Sequence, residues 1–353
     1  MSPPALWRPP LGKPWNVAEA SRRETHEAAA AAASFWRLTD GSVPSSRRPS
    51  HLTDVGLSAE LDAIFYDESS FDKGDAGWRY LPSRAQAKAK RAAHTHLLRT
   101  GRHPRKILLT EKEWTELKAA QLQLAADLRR CRPGDRCGSM ACLPCRRAWV
   151  QRQRKTMETF FMSSPGDPTW RQHHLTVIPF GMQFLEGSLD RFDPFAANCR
   201  LQQILTSIEA PWVAVGVLEI SYEEVVGSWS YWQPHWHLLT TGPDVPAIAE
   251  ELRGKLPFFN PNNPSVVRRE VYDLRGATRY DSKPAEKGWR WVADAKDSAA
   301  RRVIPATRQR ELLLWLHRWS PWSMLVFVHA ELTSSAGVVQ IRSILPEEGN
   351  VFS

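Results

Sequence analysis

Residues 213–241 read VAVGVLEISYEEVVGSWSYWQPHWHLLTT, and the pairing of this stretch with itself decides the fold. VAVGVLEISY (213–222) and YWQPHWHLLTT (231–241) are rich in β-branched and aromatic residues and flank a turn segment around Gly227, the pattern of two strands of a hairpin. In a strand, residues i and i+2 share a face, so His235 and His237 project together and Trp236 points the other way. Glu219 falls in the phase of Val213, Val215 and Val217. That phase is inward and apolar, where a carboxylate is costly unless paired or coordinated. Glu219 and His235 are symmetric about Gly227, so a hairpin turning there sets the carboxylate opposite the histidines. A slip of one residue sends it to the other face. Two parallel imidazoles suit either a metal ion or local hydrogen bonding within a buried strand. With Glu219 as a third donor, the set leaves open positions for Mg²⁺ or Mn²⁺, with phosphate among the oxygen ligands.

Outward from the hairpin, HHLTVIPF (173–180), MLVFVHAEL (324–332) and GVVQIRSI (337–344) read as further strands. Residues 196–209, VPAIAEELRGKL (245–256) and RQRELLLWLHRW (308–319) read as helices. This order predicts an α+β fold, an antiparallel sheet with helices on one face. Upstream, EKEWTELKAAQLQLAADLRR (111–130) has helical apolar spacing with acids early and arginines late. The expected organisation is a disordered Pro/Ser/Ala-rich segment at 1–55, a basic helical region at 56–130, a cysteine knuckle at 131–155, the sheet domain at 156–345 and a tail at 346–353. Residues 284–305 read as an inserted loop.

CRPGDRCGSMACLPC places Cys131, Cys137, Cys142 and Cys145 within fifteen positions, C-x5-C-x4-C-x2-C. Such clustering suits a closed tetrahedral Zn²⁺ shell in a reducing compartment better than an extracellular disulfide framework. Scattered buried or redox cysteines are the alternative. Between 129 and 155 there are nine Lys or Arg and one acid, Asp135. With a formal charge of +9 over 353 residues, this favours an acidic partner, nucleic acid first. A charge run is often only a solvated face, but beside a zinc fold Arg146, Arg147, Arg152 and Arg154 are expected to contact phosphates. No run of 18 apolar residues and no basic-then-apolar leader is present, so the expectation is a cytoplasmic, non-membrane protein.

The motifs together resemble the HUH endonucleases, the rolling-circle replication initiators and their relatives. LEISY followed by WQPHWHLL is similar to the family's acidic strand and His-hydrophobic-His motif, and HHLTVIP to its first motif. RYDSK resembles its third, a helix bearing a tyrosine with a lysine three residues on, here Tyr280 and Lys283. A cysteine knuckle upstream resembles the plasmid replication-protein branch. The likeness spans about 131 to 330.

It implies a bacterial, metal-dependent, single-tyrosine nickase acting on single-stranded origin DNA of a plasmid, phage or mobile element. Tyr280 would be the nucleophile, Lys283 its cationic partner, Arg279 a DNA contact, and Glu219, His235 and His237 the ligands of Mg²⁺ or Mn²⁺. Alternatives are an HUH transposase or a DNA-binding protein on the same scaffold without nicking. Among six tyrosines, Tyr272 is the second candidate. Pro284 directly follows Lys283 and ends the helix there. No helicase domain is evident, so a host helicase is the expected partner in replication.

Overall fold

A computed structural model describes residues 84–100, 110–163, 167, 169–225, 230–256, 264–281, 287–291, 299–335 and 338–345. The expectations for 1–55, the hairpin tip at 226–229, Lys283, Pro284 and the tail at 346–353 lie outside the described residues. Three helices come first: α1 (Arg84–Thr100), α2 (Glu111–Arg130) and α3 (Leu143–Met162). Then follow β1 (Gln172–Val177), β2 (Phe184–Leu185), α4 (Pro194–Thr206), β3 (Val213–Val225), β4 (Ser230–Thr241) and α5 (Val245–Lys255). The remainder is β5 (Val266–Glu270), α6 (Leu274–Asp281), β6 (Lys287–Trp291), β7 (Ala299–Val303), α7 (Ala306–Arg318), β8 (Leu325–Val328), β9 (Ala330–Ser335) and β10 (Val338–Ser343). No helix among the described residues is long and apolar enough to cross a membrane.

Local chemistry accounts for the helix starts. Thr110 and Glu113 form a reciprocal capping box at α2, with Glu111 and Glu113 in the first turn and Arg129 and Arg130 in the last, complementing the helix dipole at both ends. Asp193 caps α4 by accepting from the Phe195 and Ala196 amides at 2.9 and 3.0 Å. Asp244 caps α5 through Ala247 N at 3.0 Å.

The long β3–β4 hairpin is the centre of the sheet, whose order is β5-β1-β4-β3-β6-β7, with β2 on β4 and β8 on β3. Its register runs from Val213↔Thr241 through Glu219↔His235 to Glu224↔Ser230, the pairing expected from symmetry about Gly227. The pairings are antiparallel except β3 with β6, which is parallel. Part of the stretch expected as an inserted loop thus extends the sheet as β6 and β7. At Gly216 a Cβ would meet Leu238 Cδ2 at 2.1 Å, so any larger residue there requires the buried Leu238 side chain to shift.

The two faces of the hairpin differ. Trp236 and Leu238 of β4, Leu175 and Val177 of β1, and Leu218 and Ile220 of β3 belong to one buried cluster with Leu201 and Leu205 of α4 and Leu312 and Trp315 of α7. Trp236 is fully buried, contributing on the order of 4 kcal/mol of transfer free energy. Its indole N–H donates to Asn198 Oδ1 at 2.6 Å. The tryptophan between the two histidines therefore pins β4 from behind and holds both imidazoles to the opposite face.

Helices were expected on one face only. Instead α3 and α6 cover part of the histidine face, where Met157, Phe160 and Phe161 pack on Val213, Val215 and Leu239, with Leu274 and Ala277 against them. The reason is that this face is apolar at the end away from the histidines and needs its own cover.

Candidate active site

Two groups of side chains can hold a metal ion among the described residues: Cys131, Cys137, Cys142 and Cys145, and Glu219, His235 and His237. In the first, Cys131 Sγ lies 3.5 Å from both Cys145 Sγ and Cys142 Sγ, and Cys137 Sγ lies 3.8 Å from Cys145 Sγ. All four cysteines are free thiols. Four sulfurs about 2.3 Å from a tetrahedral zinc stand about 3.8 Å apart, so the spacing fits that ion.

The knuckle's turns explain the spacing of the motif. Arg132 and Asp135 exchange backbone hydrogen bonds at 3.1 Å around Pro133 and Gly134. Gly134 has φ 80° and Gly138 φ 68°, with Pro then Gly at the centre of the first turn as a type II turn demands. Cys142 is the N-cap of α3, and Cys145 sits in its first turn, where the helix dipole favours thiolate. Hydrogen bonding to Cys131 and Cys137 pushes the Cys142 and Cys145 thiols up. A divalent cation inverts that balance, because a coordinating thiol is deprotonated.

The second group lies on the free face of the hairpin. His237 Nε2 is 2.9 Å and His235 Nε2 3.5 Å from the same Glu219 oxygen, with side-chain exposures of 2% for His237, 13% for His235 and 16% for Glu219. The other ring nitrogens are engaged from behind. His235 Nδ1 lies 3.1 Å from Gln233 O, and His237 Nδ1 lies 3.3 Å from Thr176 Oγ1. The Gln233 carbonyl can only accept, which favours the His235 tautomer that presents Nε2 to a metal, and Thr176 Oγ1 can accept the corresponding Nδ1 proton of His237. Two imidazoles and one carboxylate, converging and largely buried, fit a divalent ion with open positions.

Tyr280 arrives from α6. Its ring meets His237 edge-on at 5.0 Å between centroids and His174 at 5.5 Å. His174 in turn stacks on His237 at 5.3 Å. α6 is held by Thr278, fully buried, whose hydroxyl donates to Glu158 Oε1 of α3 at 2.9 Å. Tyr272 is elsewhere: its hydroxyl donates to Glu270 at 3.1 Å, the residue is 87% exposed, and Glu270 is paired with His173, on the face away from His235 and His237.

Of the expected DNA-contacting arginines, Arg146 is buried at 3% exposure, away from the surface that its expected phosphate contact needs. Arg154 pairs with Glu158 at 3.5 Å, and Arg147 and Arg152 are half-buried. The cause is that eleven of the twenty residues of α3 are buried, so this helix is a strut through the fold. Arg279 lies in α6, but its side chain, like Lys283, is outside the described residues.

His174, Thr176 and Arg269 were not singled out from sequence: alternation puts His174 and Thr176 on one face of their strand, but only the pairings of β1 with β4 and β5 bring all three to the histidine face. His174 pairs with Leu239 and Arg269, and Thr176 with His237. Partial burial pushes the Arg269 guanidinium down while charge on Tyr280 opposes it, so the two groups lie within electrostatic reach. No family model matches the chain, and no curated protein or solved structure matches it either.

Proposed function

We propose that the protein is a metal-assisted, single-tyrosine endonuclease of the HUH type, with an RRM-like nuclease sheet, which nicks single-stranded DNA at an origin for rolling-circle replication of a plasmid, phage or mobile element. The observation that carries this reading is the edge-on contact of Tyr280 with His237, on the face where Glu219 stands opposite His235. These residues belong to the second and third motifs of the resemblance, and His174 and Thr176 from the strand that resembles the first motif adjoin them. The sheet and its helices, the cysteine knuckle and the basic charge are consistent with it.

In this reading Tyr280 Oη loses its proton and attacks the phosphorus of one phosphodiester. A P–Oη bond forms, the P–O3′ bond breaks, and the departing 3′ oxygen takes up a proton. The product is a 5′-phosphotyrosine and a free 3′-hydroxyl that can prime synthesis. One phosphoester replaces another, so the step can run back to rejoin strands. An Mg²⁺ or Mn²⁺ ion held by Glu219, His235 and His237 supplies Lewis-acid polarisation of the phosphate. Thr176 and the Gln233 carbonyl orient the two imidazoles, and His174 and His237 confine the Tyr280 ring. The four cysteines hold a structural Zn²⁺ that anchors the start of α3.

The deciding experiment incubates the protein with single-stranded oligonucleotides and Mn²⁺ and resolves covalent protein–DNA adducts by denaturing electrophoresis. Wild type is expected to form an adduct. Tyr280→Phe is expected to bind the oligonucleotide and form none. An unchanged adduct yield in that variant removes Tyr280 as the nucleophile. Binding without any wild-type adduct leaves a DNA-binding protein without nicking.

A further inference from the structure

β5 ends the sheet among the described residues, while beyond β3 the sheet continues into β6 and β7. Two arginines stand side by side on this edge strand and point in opposite directions, because successive residues of a strand alternate in face. Arg269 pairs with His174 and stands on the face of Tyr280 and the histidines. Arg268 pairs with Leu175 and stands on the other face, its Nη1 3.3 Å from His173 Nδ1. Both are exposed. Across the sheet, Glu219 and Glu223 share the histidine face on β3, and Glu223 accepts from Ser221 Oγ at 2.6 Å. The face therefore grades from acidic at β3 to basic at β5, with Tyr280 between.

We propose that Arg269 binds a backbone phosphate of the single-stranded DNA, on the side of Tyr280 away from Glu219, His235 and His237. The strand then reaches the tyrosine over β5, the sheet's edge among the described residues, and crosses β1 toward β4. This rests on the reading of Tyr280 as the nucleophile. A guanidinium is suited to the task because its planar fork meets phosphate oxygens in pairs and stays charged at any working pH. With the cation site of Glu219, His235 and His237 on one side and the arginine on the other, a phosphate lying over Tyr280 is held from two directions, which fixes its approach to the phenol.

Arg268 is a control built into the same strand, with the same charge and comparable exposure on the opposite face. Arg269→Gln and Arg268→Gln are each measured twice. Fluorescence anisotropy with a labelled single-stranded oligonucleotide, over a salt series and in a Tyr280→Phe background, reads the slope of log K against log salt. Adduct formation with Mn²⁺ at saturating oligonucleotide is followed in the otherwise native chain. Loss of one phosphate contact lowers the slope by about 0.7. Arg269→Gln is expected to show that change and an adduct rate about tenfold or more below wild type, and Arg268→Gln neither. Equal effects in the two variants, or no effect of Arg269→Gln, overturn the assignment even if wild type nicks. A wild-type protein that forms no adduct overturns the nuclease reading, and this assignment with it.

Discussion

Thr176→Val separates metal binding from folding at the histidine site. Thr176 is buried at 5% exposure, and its hydroxyl lies 3.3 Å from His237 Nδ1. A metal on His237 Nε2 requires the ring proton on Nδ1, where Thr176 Oγ1 accepts it. Without the hydroxyl that N–H has no acceptor in the metal-bound protein. In the metal-free protein the imidazole escapes the penalty by moving its proton to Nε2, which lies 2.9 Å from Glu219 Oε2. The cost therefore falls on the metal-bound state alone. An unsatisfied buried donor costs about 1–3 kcal/mol, so Mn²⁺ affinity is expected to fall about 5- to 150-fold at 1.4 kcal/mol per tenfold. The length of the contact favours the lower part of that range. Isothermal titration calorimetry with Mn²⁺ measures the affinity, thermal melts of the metal-free protein measure the stability, and Thr176→Ser should restore wild-type binding. An unchanged Mn²⁺ affinity refutes this account of the tautomer. So does a loss of metal-free stability as large as the loss of affinity.

Thr278→Val removes the hydroxyl that ties α6 to Glu158 and should loosen that helix by about 1–3 kcal/mol. Hydrogen exchange of the peptide covering 274–281 should rise while that of β3 and β4 does not, and the adduct should form more slowly with oligonucleotide affinity unchanged; unaltered exchange in 274–281 counts against the tie. Cys145→Ser replaces a fully buried thiol of the knuckle. Zinc content by elemental analysis should drop from about one per chain to none, with a large fall in melting temperature, because structural zinc binding is folding free energy. A zinc-free wild-type protein with an unaltered melt excludes that centre.

The parts of the site that were legible in the sequence are those that break a local rule. Glu219 stands in an apolar phase, two histidines share one strand face, and four cysteines crowd into fifteen positions. Each is costly without a partner, so each announces that a partner exists. The hairpin register was legible for a related reason: symmetry about one turn left a single alignment that joins the carboxylate to the histidines, and Glu219↔His235 is the observed pair.

What escaped obeys local rules and acquires its meaning from distant chain. LPCRRAWVQRQRKTMETFFM has no clean apolar stripe, yet it forms α3 with Arg146, Gln151 and Gln153 among its buried residues. Periodicity fails there because the helix is enclosed on several sides, and enclosure is a property of the assembled fold. MLVFVHAEL reads as one strand but divides into β8 and β9 around His329, whose φ is 47°; its imidazole Nδ1 lies 2.8 Å from Trp212 O. Thr278 is an ordinary helix residue until Glu158, 120 positions earlier, is set beside it. Arg268 and Arg269 are indistinguishable in composition, and only the pairing of β5 with β1 decides which of them shares the histidine face. The groups proposed to perform chemistry break a local rule, whereas the groups proposed to position them are defined by contacts. The second class is accordingly where substitutions chosen from the structure test more than substitutions chosen from the motifs.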